Sequence, residues 1–202
     1  MRYGLSLYQR DQSPSFGLFP RHRWQQGIHA LSPPTAGSKS FCPFLRWKLG
    51  SRQGKAVLCT ADRRSVDLVD FEMRLSAFLD FWQDLDIRDY RQITFVGFSN
   101  GANFIMGLLT KQSNLADNYI LLHPSVLDYA FPMENSRAEI LFTLGQNDQL
   151  VDQVALEHLV DDWQASAFPR ANLARFDKGH FLSQDELTYI KNWYQERIDK
   201  KT

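Results

Sequence analysis

The chain has 202 residues, 44% of them hydrophobic, and its 23 Lys/Arg balance 23 Asp/Glu, giving a formal net charge of zero. That is enough chain for one domain with a full core, with no apolar run long enough to cross a bilayer and no charge excess pointing to nucleic acid or an anionic membrane. Cys42 and Cys59 are isolated thiols without metal-ligand spacing, and no continuous apolar segment opens the chain as in a secretory signal, so a reducing, cytoplasmic setting is expected.

The zero average hides a split. Residues 1–56 carry nine Lys/Arg against the single acidic residue Asp11, about +8, and five of the eight prolines. The remainder carries fourteen Lys/Arg against twenty-two Asp/Glu, about −8. Up to Ala56 there is no sustained helical or strand period. Aromatic–basic pieces such as Phe19–Trp24 alternate with turn clusters such as Ser32–Ser38. A divergent cap, a basic arm docking on the acidic remainder, and a stretch read in a shifted frame each account for this; the coding DNA separates the third from the others.

Ala56–Thr60 is a candidate strand. From Ser65 the character changes: Leu68, Val69, Phe71, Met73, Leu75, Phe78, Leu79 and Trp82 fall on a broad helical face, and the helix is expected to stop near Asp86–Asp89. Strand Ile93–Gly97 then leads into helix Gly101–Lys111. Strands Tyr119–His123 and Glu139–Gly145, helix Val151–Ala165, strand Asn172–Asp177 and helix Gln184–Lys200 follow. In helix Val151–Ala165 the apolar positions are Val154, Leu156, Leu159, Val160 and Trp163. Strands alternating with helices imply a parallel sheet with helices on both faces, and functional loops gathered at the carboxyl ends of its strands.

The densest signal is Gly97-Phe98-Ser99-Asn100-Gly101, between an apolar strand and an apolar helix. Gly-x-Ser-x-Gly in that context fits a nucleophile elbow, in which a cramped turn thrusts the serine hydroxyl out of the sheet edge. The two glycines remove side chains that would collide with the neighbouring strand and helix. Behind Ser99 the helix N-terminus offers free N–H groups where an oxyanion would form.

A serine hydroxyl becomes a useful nucleophile when an imidazole accepts its proton and a carboxylate orients that imidazole. Asp148 follows one apolar strand and His180 the last strand, in the order serine, acid, histidine. Asp148 could instead be a turn or N-cap residue, and Asp152 is the rival acid, placed inside the first helical turn. His180 could be an ordinary hydrogen-bonded loop histidine. His123 also ends a strand, but Pro124 and the lack of visible partners favour a structural or pocket-lining role. His22, His29 and His158 have no comparable setting, and no His/Cys/Asp cluster has metal-ligand spacing.

Together, Gly97–Asn103, the Gly145–Val151 loop and Lys178-Gly179-His180 resemble the phospholipase/carboxylesterase branch of the α/β-hydrolases, relatives of the dienelactone-hydrolase group. The likeness covers about residues 64–200. It implies one α/β-hydrolase domain over 1–202, with a mostly parallel sheet, helices on both faces and an atypical or incomplete N-terminal part. It further implies cofactor-free hydrolysis of carboxylic esters or thioesters. Carried across, Ser99 is the nucleophile, Asp148 the orienting acid, His180 the general base and the Asn100 backbone N–H one oxyanion donor. The family's His-Gly loop, which supplies the second donor, is absent from residues 1–56: Gly27-Ile28-His29 has the wrong order and no apolar strand before it.

The expected partner is a small or medium uncharged ester, with a homodimer left open. Phe98, Phe104, His123 and Phe181 are candidate pocket walls, although aromatics in such places are more often core. A catalytically impaired relative serving as a binding module, a degraded gene product, and an acyltransferase using the same acyl-enzyme stay open beside the esterase.

Overall fold

A computed structural model describes residues 40–41, 60–62, 65–66, 68–88, 90, 92–127 and 135–199. The chain runs β1 (Ser40–Phe41), β2 (Thr60–Asp62), β3 (Ser65–Val66), α1 (Leu68–Gln83), β4 (Gln92–Phe98), α2 (Asn100–Lys111), β5 (Asn118–Leu122), β6 (Glu139–Gly145), α3 (Gln153–Ala165), β7 (Ala171–Phe176) and α4 (Gln184–Asp199). Five strands form one sheet in the order β1-β4-β5-β6-β7, each neighbour parallel to the next; β2 and β3 make a separate antiparallel pair.

Parallel neighbours need crossovers, and α2 and α3 supply them between β4 and β5 and between β6 and β7. Strands β4, β5 and β6 are buried at nearly every position, as their predominantly apolar runs require in a sheet covered on both faces. Strand β7 alternates buried with exposed residues and lies at the sheet edge. Two of the polar side chains buried in the sheet satisfy each other, Asn118 Nδ2 donating to Thr94 Oγ1 at 3.0 Å.

Helix α1 departs from the expected broad face. Phe71, Leu75, Phe78 and Trp82 are buried, a stripe at four-, three- and four-residue steps, whereas Leu68, Val69 and Met73 are 68%, 72% and 61% exposed. At about 100° per residue Val69 and Met73 fall on the far side from the stripe, while Leu68, the first residue of the helix, lies at its margin. The stripe packs through aromatic edges: Phe71 and Phe78 meet Phe104 of α2 with ring centroids at 6.2 and 5.9 Å, and Trp82 meets Phe95 of β4 at 4.9 Å. Phe104 is therefore core rather than a pocket wall. In α3 the stripe is Leu156, Val160 and Trp163, while Val154 is exposed and Leu159 only half-buried.

Helix α1 ends at Gln83, short of the expected stop, and the short strand Ser65–Val66 precedes it. The candidate strand Ala56–Thr60 is met by β2 only at Thr60, its earlier residues lying outside the described ones. The basic segment 1–56, apart from β1, also lies outside them, with its three explanations.

Candidate active site

Ser99 sits between β4 and α2 with φ 52° and ψ −117°. Its N–H donates to Leu122 O at 2.7 Å, and its carbonyl accepts from Asn103 N–H at 3.0 Å as α2 begins. Serine at a helix start normally caps the first turn with its hydroxyl; Ser99 makes no such bond. The first N–H groups of α2, from Asn100 onward, have no intrahelical acceptor, and the Ser99 hydroxyl does not take one up. A Cβ on Gly97 would lie 2.5 Å from the Gly101 carbonyl carbon, so the elbow needs glycine there. Gly101 differs from the expectation: a Cβ on it would meet nothing within 4 Å among the described residues.

Asp148 and His180 are brought together by the loops after β6 and β7. These loops are stitched by Asn147 N–H donating to Lys178 O at 2.9 Å and Gln146 N–H to Phe176 O at 2.8 Å. His180 then stands with Nε2 at 2.9 Å from Ser99 Oγ and Nδ1 at 2.7 Å from Asp148 Oδ2. A carboxylate only accepts, so Nδ1–H donates to Asp148 and leaves Nε2 free to take the serine proton. Asp148 is buried, and its Oδ1 accepts the Leu150 N–H at 2.9 Å. Asp152, the rival acid, is the N-cap of α3 and accepts from Ala155 N–H at 3.0 Å.

His123 does not lack partners. It is fully buried, with Nδ1 at 2.9 Å from the same Asp148 Oδ2 that His180 contacts and Nε2 at 3.3 Å from Glu186 Oε2. It backs the serine site rather than walling an open pocket. Phe98 packs beside both imidazoles, its ring centroid 5.5 Å from His123 and 5.1 Å from His180, and Phe181 is exposed. His158 is exposed on α3; His22 and His29 lie outside the described residues.

Glu186 is the residue that sequence reasoning missed. The run Ser183-Gln184-Asp185-Glu186 reads as a capping box, which would return the carboxylate to the helix start. Ser183 does cap, its Oγ accepting the Glu186 N–H at 3.2 Å, but the Glu186 carboxylate goes inward to His123.

Burial pushes the Asp148 carboxyl up, but hydrogen bonds from His123, His180 and the Leu150 N–H outweigh it and hold it below the usual carboxylate range. Burial pulls His123 down, and its bonds to Glu186 and Asp148, with their charges, more than reverse this. The fold also gathers His123, Asp148 and His180 within cation-sharing distance, a cluster invisible in their spacing; in the described arrangement both imidazole Nδ1 atoms are spent on the Asp148 carboxylate.

No protein-family model matches the chain. In sequence it is similar to MhqD of Bacillus subtilis (strain 168), a hydrolase by name, with 29% identity over 133 residues covering 65% of this chain and 66% of that protein. The chain thus spans about two thirds of that relative's length. In structure it is similar to the Bacillus cereus carboxylesterase, with TM-score 0.61 and 22% identity over 72% of this chain and 68% of that one. It is likewise similar to a carboxylesterase from Mesorhizobium loti, with TM-score 0.62 and 19% identity over 75% and 74%. The chain has the α/β-hydrolase fold. In that fold a serine elbow follows a central strand, as Ser99 follows β4 here. Residues 1–56, apart from β1, lie outside the described residues, so the structure describes no second oxyanion N–H from them.

Proposed function

We propose that the protein is a serine hydrolase of small or medium carboxylic esters or thioesters. The observation that carries this reading is the line Ser99 Oγ, His180 Nε2 and Nδ1, Asp148 Oδ2, with links of 2.9 and 2.7 Å. Such a line can move a proton from hydroxyl to imidazole while a buried carboxylate stabilises the imidazolium that forms. Ser99 Oγ attacks the ester carbonyl as His180 Nε2 takes its proton, and the Asn100 N–H at the start of α2 faces the developing oxyanion. His180 then protonates the leaving alcohol or thiol. Water, deprotonated in turn by His180, releases the acid from the Ser99 acyl ester. None of these steps calls for a cofactor. The names of the structural neighbours, both carboxylesterases, agree with an ester substrate. No helix among the described residues is long and apolar enough to cross a membrane.

One observation favours an impaired relative as a second reading: residues 1–56 contain no His-Gly loop. Losing one oxyanion donor lowers the rate about a hundred- to a thousand-fold. Hydrolysis of p-nitrophenyl acetate and butyrate by the purified protein, beside Ser99→Ala, tests both. Turnover that vanishes in the variant supports the esterase; no turnover in a protein that melts cooperatively supports the impaired relative. Added alcohols that divert the acyl group to new esters would instead identify a transferase.

A further inference from the structure

Glu186 is fully buried, and what it faces is His123. His123 Nε2 is 3.3 Å from each Glu186 carboxylate oxygen, of which only Oε2 is aligned for a hydrogen bond. Buried carboxylates are costly unless paired. The other ring nitrogen, Nδ1, is 2.9 Å from Asp148 Oδ2. Both nitrogens of one buried imidazole thus meet carboxylates, and two ionised carboxylates require both nitrogens to donate.

We propose that His123, held as an imidazolium between Asp148 and Glu186, is a positioning residue of the serine site that clamps the Asp148 carboxylate and tempers the negative charge His180 feels. The proposal rests on reading Ser99, His180 and Asp148 as the catalytic groups. His123 Nδ1–H and His180 Nδ1–H both donate to Asp148 Oδ2 while the Leu150 N–H holds Oδ1, so the acid has no freedom to rotate away. The His123 and His180 rings stand edge to face with centroids 5.6 Å apart, close enough for a charge on one to oppose a charge on the other.

The rival arrangement puts the proton on Glu186, which would donate to a neutral His123. The net charge of the cluster is the same, so burial of net charge does not choose between them. Imidazole is the stronger base of the two, and the Asp148 charge on its far side favours the cation further. The upward shift of His123, against the pull of burial, runs the same way. The titratable groups facing His123 are Asp148 from the β6 loop, His180 from the β7 loop and Glu186 from α4; Phe98 of β4 and Gly145 of β6 are neutral walls. The His123 backbone is also held at φ 49°, with its N–H donating to Thr143 O at 3.0 Å. A side chain kept on so unfavourable a backbone is over-determined by its surroundings.

The test begins with wild-type protein labelled with 15N-histidine, its ring signals assigned through backbone correlations and followed from about pH 6 to 9. His123 is expected to keep protons on both nitrogens at pH 8, where an unperturbed histidine has lost one; a neutral His123 at that pH overturns the proposal, whatever any variant does. In His123→Gln, which can still donate one bond to Asp148, the acid limb of kcat/KM for p-nitrophenyl butyrate should move up by about half to one pH unit, because His180 loses a neighbouring cation. kcat should fall about ten-fold with little change in KM. Should that variant fail to fold, His123→Gln/Glu186→Gln removes the stranded carboxylate and serves the same comparison. A folded variant with an unmoved acid limb and wild-type kcat overturns the proposal. If Ser99→Ala retains activity, the hydrolase reading fails while the His123 signals still report the buried cation.

Discussion

Ser99 and His123 both carry a positive φ that L-residues rarely adopt, 52° and 49°, immediately after the neighbouring parallel strands β4 and β5. The Ser99 N–H, donating to Leu122 O at 2.7 Å, ties one strained turn to the other. Both turns place a polar side chain on the route to Asp148, so the strain falls where the candidate site is built.

Strain of this kind is relieved by glycine. Ser99→Gly should be more stable than Ser99→Ala by about 1 kcal/mol, after allowing for glycine's greater freedom when unfolded. Neither variant loses a helix cap, since Ser99 makes none. Urea midpoints compare them; an alanine variant as stable as the glycine one would mean the turn is unstrained. Both should lose at least about a thousand-fold in ester hydrolysis.

Two acids of the same loop region should separate cleanly. Asp148→Asn keeps the volume but removes the charge between two imidazoles, and should lower kcat by about a thousand- to ten-thousand-fold. Asp152→Ala should leave kcat/KM within about two-fold and lower stability by about 1 kcal/mol, the usual worth of an N-cap. The reverse outcome would make Asp152 the working acid.

The two elbow glycines should also part company. Gly97→Ala drives a Cβ to 2.5 Å from the Gly101 backbone, which cannot swing aside as a side chain could. It should destabilise by at least about 1–3 kcal/mol, as overpacking does, and misplace Ser99. Gly101→Ala meets open space within α2 and should match wild type or gain up to about 1 kcal/mol in helix propensity. Thermal melts of the pair decide it.

Stability should fall on both sides of a plateau, for opposite reasons. Asp148 is held below its ordinary 3.8, so its contribution is present above that value and is lost as pH falls through the lower folded one. His123 is raised above its ordinary 6.5, so its contribution is complete below 6.5 and is lost as pH climbs through the higher folded value. Urea midpoints from about pH 3 to 9 should show both slopes, and His123→Gln/Glu186→Gln should abolish the alkaline one. An alkaline slope that survives in the double variant would have to come from other groups.

Much of the architecture is a local property of the chain. Mostly apolar runs at β4, β5 and β6, alternating with helical stretches, suffice to specify parallel strands under cover, because burial on two faces leaves little room for polar alternation. The Gly-x-Ser-x-Gly turn between strand and helix is likewise local, and so is the placing of Asp148 and His180 just past strand ends. Partner choice is not local. His123 finds Asp148 25 positions away and Glu186 63 away, so no window of sequence shows them as neighbours. The capping pattern around Glu186 and the turn around Asp148 each have a sufficient short-range meaning that conceals the long-range one. Asp152 caps α3 within its own turn, whereas Asp148 reaches His180 because the order of strands sets which loops meet at one sheet edge. The buried stripe of α1 was decided in the same way, by where Phe104 and Phe95 stand in elements not yet made when that helix is read alone. Periodicity and caps act over a turn or two of chain; the charge network behind Ser99 exists only once four strand ends are side by side.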